Sequence, residues 1–385
     1  MGEMLYDIAV IGGGLAGLAL AIQAADAGYR CILFEKEQYP FHRVCGEYIS
    51  NESKPFLQRL GVDTTALPRI DTLEVTAPNG RSFETRLPLG GFGISRHRLD
   101  TLLCQQATAR GAHIRQATRV TNVEWQDPHF SITTAAGPYS ARLVVGSFGK
   151  RSNFDVQWQR PFVRQKPGPL NNYIGVKYHI RYPQPENLIA LHNFSDGYCG
   201  ISQVEDERCC LCYLTTAANL QRSGNSIAQM EQQILQRNPH LRRIFNEAEF
   251  LFEAPVAISQ ISFASKSLVH NHILLTGDAA GMITPLCGNG MSMALHGSYL
   301  LFTCMEQFLM GNYNRVQMEK AYTRLWQQQF TRRLATGRLI QRFFGSPVLS
   351  NLLVRSFNTL PLLAAPLIRQ THGRVFGRNN DGLCE

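Results

Sequence analysis

Three glycines and one acid carry the first chemistry in this chain. Gly12, Gly14 and Gly17 lie in the run Gly12-Gly13-Gly14-Leu15-Ala16-Gly17, and Glu35 follows one helix and one strand later. Glycines at this spacing let a chain turn tightly, bring its backbone against a pyrophosphate and pack a helix close to a strand. The helix that follows offers unpaired N–H groups and the positive end of its dipole to phosphates. A carboxylate at Glu35 is placed to accept hydrogen bonds from ribose hydroxyls. A glycine turn that serves packing alone would leave the position of Glu35 unexplained. A second set of candidate residues lies far away, at Gly277-Asp278 and at Pro285-Leu286-Cys287-Gly288-Asn289-Gly290. A third, Arg43-Val44-Cys45-Gly46-Glu47, brings a cation, a thiol and an acid together.

The elements that must position these groups are legible around them. The apolar run Ile8–Ile11 precedes the glycines, a small-residue helical pattern runs to Gly28, and a second apolar run, Cys31–Phe34, ends on Glu35. Strand, glycine turn, helix, strand and acid make a dinucleotide-binding βαβ unit. Asp71–Leu89 reads as a β-hairpin with Pro78-Asn79-Gly80 as its turn. Leu99–Arg110 reads as a helix, and Ile114–Trp125 and Phe130–Thr134 as strands. The stretch from Val156 to Ser262 alternates apolar and polar residues and is expected to be mostly sheet, the floor of a substrate cavity. Beyond Leu295 the pattern is helical to the end.

Together these motifs resemble the flavoprotein group that includes p-hydroxybenzoate hydroxylase, geranylgeranyl reductases and flavin-dependent halogenases. The resemblance recurs along most of residues 5–340. It implies an α/β fold: a Rossmann-like FAD-binding domain interleaved with an antiparallel β-sheet substrate domain, followed by C-terminal helices. The expected division gives 1–70, 91–155 and 264–340 to the FAD domain, 71–90 and 156–263 to the substrate domain, and 341–385 to a C-terminal helical segment. The resemblance implies FAD as cofactor. Asp278 would bond the ribitol, and the backbone of Gly288, Asn289 and Gly290 would lie near the flavin edge, where a helix N-terminus favours the charge of reduced flavin. Arg43 and Cys45 resemble the K/R-V-C-G-E segment of the reductases, and Arg96 the R-x-x-L-D signature, in which Leu99 and Asp100 start and orient a helix. Leu15, Ala16, Lys36, Gly46, Val120, Gly277, Pro285 and Met291 complete the expected cofactor site. Cys45 also reads as a small apolar core residue.

The chain departs from its relatives at three places. Their G-A-D-G-x-x-S motif becomes Gly146-Ser147-Phe148-Gly149-Lys150-Arg151-Ser152, so Phe148 replaces the aspartate and direct use of NADPH or NADH as electron donor is put in doubt. Lys150 and Arg151 read either as a phosphate site or as solvated loop charges. The reductases' G-Y-x-W-x-F-P becomes Gly197-Tyr198-Cys199-Gly200-Ile201-Ser202-Gln203, and the loss of an indole implies a cavity of another shape. The W-x-W-x-I-P motif of tryptophan halogenases is missing, since Trp125, Trp158 and Trp326 are far apart, so halogenation is not expected.

The flavin then does the redox work while the protein positions a substrate. The first expectation is a monooxygenase acting on a hydrophobic aromatic, polyketide-like or isoprenoid molecule. The alternative is a reductase or dehydrogenase of carbon–carbon bonds, which the Cys45–Glu47 segment favours. A redox-sensing flavoprotein without catalysis is a third class. No catalytic residue is assignable; the candidates are Cys45, Glu47, Tyr48 and His296, each also readable as structural.

Composition bounds the rest. With 385 residues, 44% hydrophobic and 17% charged, the chain is long enough for two interleaved domains. No apolar run reaches the roughly eighteen residues that span a bilayer, and the N-terminal stretch is no signal peptide, so a cytoplasmic location is expected. The ten cysteines are scattered, which does not suggest disulfides. No metal site is expected; Cys209, Cys210 and Cys212 lie in one strand-like run without zinc-site spacing. Formal charge is +9, and residues 331–385 hold eight arginines against two acids. That basic, Leu- and Phe-rich tail reads as a peripheral membrane contact, a surface for an acidic carrier protein bearing the substrate, or helices covering the cavity with their arginines in water. Nucleic-acid binding is not expected, because no binding module accompanies the charge.

Overall fold

The computed structural model describes residues 4–166, 168, 171–284, 288–341, 344–360, 366, 368, 370 and 372–377. Two sheets organise them. In the first, the strand Leu5–Ile11 lies between two parallel partners, with Ile8 opposite Cys31 on one side and Leu143 on the other. Ile8, Ala9 and Val10 are fully buried, as expected of a central parallel strand covered on both faces. The helix Leu15–Asp26 buries ten consecutive residues between this sheet and the helices Arg96–Ala109 and Gly290–Leu309. Its Gln23 is satisfied internally, donating to the Ala19 carbonyl and to Ser298 Oγ.

The second sheet has nine strands and is antiparallel except where Leu188–Phe194 runs parallel to Arg69–Thr76. The expected hairpin is present but longer, Arg69–Thr76 against Ser82–Gly93. Its turn is where Asn79 and Gly80 place it; Gly80 has φ +86° and donates its N–H to the Ala77 carbonyl. Alternation along the strands separates two faces. Gly175, Leu191, Gly200 and Cys212 line a cavity. Val176, Tyr178, Leu211 and Tyr213 pack behind it.

Two expectations need correction. Ile114–Trp125 is not one strand. His113–Arg115 pairs in parallel with Cys31–Phe34, whereas Val120–Gln126 turns back antiparallel to His129–Thr134. The break falls at Ala117, in the left-handed region with φ +51°, where Ala117 and Thr118 donate to the carbonyls of Glu37 and Glu35. Nor is the segment to Ser262 mostly sheet after Thr216. Helices Ala217–Arg222, Ile227–Gln233 and Pro239–Glu247 cover the back of the sheet. Their starts are written in Ser226, which caps Gln229 N, and in Asn238-Pro239, a cap followed by a proline at the first helical position. Tyr178 and Tyr213 both donate to the buried Glu231 between sheet and helices.

The helices Gly290–Leu309, Arg315–Gln341 and Pro347–Thr359 follow. Among the described residues no helix is long and apolar enough to cross a membrane. Part of the tail folds back: Phe376 packs against Phe56, Tyr299 and His296.

Candidate functional site

A cavity of about 1190 Å³ runs from the glycine turn to the second sheet. At its first end, Gly12 (φ +108°) leaves no room for a side chain, because a β-carbon would stand 2.6 Å from the Ser147 carbonyl oxygen. Gly17 is as tightly placed, against Gly12 and the Ser147 hydroxyl. Gly14 differs. A β-carbon there would meet only the Arg96 guanidinium, at 3.6 Å, so its outer face opens on the cavity. No side chain caps the helix that Gly14 starts, and Leu15 and Ala16 of its first turn line the cavity.

Charges around this turn are bound into one network. Glu35 accepts from the Gly13 N–H and from Arg43, each at 2.9 Å, and from the Glu37 N–H at 3.1 Å. Asp100, 1% exposed, holds Arg43 at 2.9 Å and Arg96 through two bonds of 2.7 and 2.8 Å. Burial opposes the Arg96 charge, but Asp100 outweighs it and raises the pKa. This corrects the expected role of Asp100: the helix Arg96–Ala109 is capped by Ser95, and Asp100, one turn inside, orients two arginines. Arg98 is exposed. Lys36 and Val120 line the outer end.

The other side of the cavity is built by Gly277, with φ +61°, and Asp278. Two buried cations hold their turn from behind. Lys266 donates to the Asp278 carbonyl at 2.7 Å, and Arg160 to the Ala279 carbonyl at 3.0 Å while pairing with Asp155 at 2.7 Å. Burial lowers the Lys266 pKa to about 8 despite the nearby Asp155 and Asp278. Neither Lys266 nor Arg160 stands in a motif, so sequence reasoning missed both. Gly288, Gly290 and Met291 line the cavity, and Asn289 is buried at the start of the helix. Pro285 lies outside the described residues, as do Leu286 and Cys287.

Between the two ends stands the Cys45–Tyr48 segment. Cys45 and Gly46 line the cavity. Glu47 is fully buried with φ +55°, accepting from Lys177 and from the Arg96 N–H, and bonding His179 Nε2 at 2.6 Å. Burial alone would raise its carboxyl, but Lys177 and His179 pull it down to about 2. Glu47 is therefore ionised and fully engaged at neutral pH, which removes it from the acid–base candidates. Lys177 and His179 were invisible in the sequence, being a lysine and a histidine in an ordinary strand. The Tyr48 hydroxyl is buried without a partner among the described residues, and burial pushes its pKa up. His296 does not line the cavity. Its ring stacks on Phe376 at 4.1 Å, and burial lowers its pKa to about 3, so it belongs to the packing of the tail. His42 also lines the cavity, and burial lowers its imidazole pKa to about 4.

Past Tyr48 the wall changes character. Gly175, Ile189, Leu191, Gly200, Leu214 and Ile258 line it together with Tyr198 and Cys212, whose thiol burial keeps protonated by pushing its pKa up to about 12. A β-carbon on Gly200 would make only ordinary contacts, 3.5 Å to Leu191 and 3.7 Å to the Cys212 carbonyl, so a side chain fits there and points along the cavity wall. Phe148 also lines the cavity and packs against Phe154 and Trp158. The residues present fit an FAD. Gly14 leaves a face open beside a fixed guanidinium, and the cavity is long and continuous.

Residues 5–324 match the family model described as FAD binding domain. Over 357 residues the chain is 24% identical to conditioned medium factor receptor 1 of Dictyostelium discoideum, covering 85% of this chain and 68% of that protein. It is 23% identical to a 1H-pyrrole-2-carbonyl-[peptidyl-carrier protein] chlorinase of Pseudomonas fluorescens, covering 77% and 75%. The crystal structure of a geranylgeranyl bacteriochlorophyll reductase-like protein from Thermoplasma acidophilum superposes with a TM-score of 0.79 at 17% identity, covering 96% of each chain. The chlorinase corrects the expectation drawn from the missing tryptophan motif. A halogenase stands among the relatives at the same level of identity, so that motif does not set halogenation aside.

Proposed function

We propose that this chain, which belongs to the FAD binding domain family and is an FAD-dependent oxidoreductase, oxygenates an apolar small molecule held against its second sheet. The observation that supports oxygenation is the cavity wall itself. Beyond Tyr48 the sheet contributes no ionised side chain, and the one acid nearby, Glu47, is locked by Lys177 and His179. Oxygen transfer to an electron-rich ring or alkene asks the wall to orient the substrate and exclude water, and an apolar wall does both. FAD, when bound, supplies the two-electron chemistry. The residues of the chain do the rest. Gly14 and the helix start at Leu15 would receive the phosphates, with Arg96 neutralising their charge and Asp100 holding that arginine in place. Glu35 would accept from the ribose, and Asp278 from the ribitol. The helix start at Gly290 would favour negative charge on the ring system.

A second reading, hydride transfer to a carbon–carbon double bond, is favoured by Cys45, which lines the cavity, since such a step needs a proton donor beside the flavin. The name of the chlorinase relative supports a substrate delivered on a carrier protein, for which the basic tail is a suitable surface. Val348, Leu352 and Leu360 lie exposed on the helix that carries Arg355 and at its end, which supports a peripheral membrane contact by the same segment.

The test is turnover of alkylated phenols and polyenes by the holoprotein with a reduced nicotinamide and labelled O2. Label in the product supports oxygenation. A saturated bond formed without oxygen supports the second reading, and a product halogenated in the presence of chloride or bromide replaces both.

A further inference from the structure

The back of the second sheet carries a cluster that the flavin site does not use. Glu74 and Thr76 lie on one face of the strand Arg69–Thr76, and His192 stands directly opposite Thr76 on the parallel neighbour. Leu191 points into the cavity, so His192 faces away from it. The helix Pro239–Glu247 crosses this back face and brings in His240. One ligand atom from each of Glu74, His192 and His240 lies within 4.8 Å of the other two.

Each histidine spends one nitrogen on the scaffold. His192 Nδ1 hydrogen-bonds Thr76 Oγ1 at 2.9 Å, and His240 Nε2 donates to the Gly80 carbonyl at 3.0 Å. A carbonyl only accepts, so His240 carries its proton on Nε2 and keeps the Nδ1 lone pair free. Outer partners that fix the tautomer and hold the ring are the arrangement found around metal-bound imidazoles. The rings are nearly parallel, with centroids 5.3 Å apart, and His192 is 3% exposed.

On the carboxylate side of the cluster a second acid stands close. Glu74 stands directly across from Glu84 on the next strand, a placement that costs stability when both are ionised. Among the described residues no lysine or arginine forms an ion pair with Glu74. A second three-residue group, Glu47, His179 and Cys210, is different, because the Lys177 ammonium already occupies the cation position beside Glu47.

We propose that Glu74, His192 and His240 bind a divalent transition-metal ion of the zinc class, with Glu84 or water as fourth ligand. Two imidazoles and a carboxylate are a zinc-type donor set. Ligands at about 2.1 Å from a tetrahedral ion stand about 3.4 Å from one another. Side-chain adjustment within the cluster therefore closes the site. The ion ties the hairpin turn at Gly80 and the helix Pro239–Glu247 to the strands whose other face shapes the substrate cavity. It braces that wall without touching the flavin.

The test is zinc binding to the metal-stripped holoprotein, followed by calorimetry and by bound-metal content after dialysis. One zinc per chain and a melting temperature that rises with added zinc are expected. Glu74→Gln and His240→Gln should each weaken binding at least as much as the roughly 10–100-fold that loss of an outer partner costs, and abolish the rise. The flavin absorption should stay unchanged, which shows that both variants are folded. No zinc retained by the wild type overturns the proposal. So does zinc binding that survives both substitutions, which would place the ion at Glu47 or at a free cysteine.

Discussion

The two ends of the cavity are built on opposite principles. At the glycine turn the buried charges are tied to one another. Asp100 holds two arginines, Glu35 holds a third contact through Arg43, and Lys266 and Arg160 pin the turn at Asp278 from behind. At the sheet the wall is neutral and partly made of glycine. A cofactor site must fit one fixed molecule, so it needs fixed polar groups and backbone geometries. A substrate differs from relative to relative, and shape alone distinguishes it. The comparison teaches that loss of cofactor and loss of turnover should be separable by mutation.

The largest effect is expected from Gly14→Val. A side chain there occupies the face open to the phosphates, and FAD affinity should fall by more than about 100-fold, or about 3 kcal/mol. Flavin content after desalting checks it, and near-stoichiometric FAD in the variant would show the cofactor end misplaced.

Glu47→Gln breaks the boundary between the ends. It leaves Lys177 buried without its carboxylate, which costs about 3–5 kcal/mol. The same ion pair sets an acid limit. Because the folded-state pKa of Glu47 is depressed from 4.5 to about 2, its contribution is complete above about pH 4.5 and is lost as pH falls toward 2. Wild-type stability should decline through that window, and Glu47→Gln should flatten the decline. Denaturant midpoints measured across pH 2–5 decide it, and parallel curves for the two proteins would contradict the pairing.

Gly200→Trp acts on the other end. It fills the wall without touching the glycine turn, so turnover should fall by two orders of magnitude or so, because the substrate loses its position against the flavin. Melting temperature should stay near wild type, since the indole extends into the cavity that Gly200 lines. Loss of flavin together with activity would show that Gly200 is a backbone requirement instead.

The smallest effect belongs to His296→Phe. Its ring stacks on Phe376, and its Nδ1 is buried without a partner, so an apolar ring of similar size should change stability by about 1 kcal/mol or less. Activity should be unchanged. A large fall in kcat would return His296 to the candidate catalytic groups.

What could be read beforehand follows the same division. The glycine turn, Glu35 and Asp278 were legible because backbone geometry restricts them to few residue types at fixed spacing. The hairpin turn at Gly80 was legible for the same reason. Asp100 was named, but its role was not, because one of its partners, Arg43, lies 57 residues away. Lys177 and His179 gave no signal, since a lysine in a strand ordinarily reads as solvated. The helices over 217–247 were missed although Ser226 and Asn238-Pro239 mark two of their starts, because apolar alternation was allowed to outweigh capping. His296 drew attention by its position after the Gly288–Gly290 turn, and only the fold shows its ring facing the tail.

The most direct measurement of whether one cavity joins a cofactor end to a substrate end is flavin absorption during titration with an apolar ligand such as an alkylated phenol. In the wild-type holoprotein the flavin bands should shift on binding. In Gly200→Trp the FAD should remain bound, with the shift abolished. An equal shift in both proteins would mean that the ligand reaches the flavin by another route, and that the neutral sheet wall is not where the substrate lies.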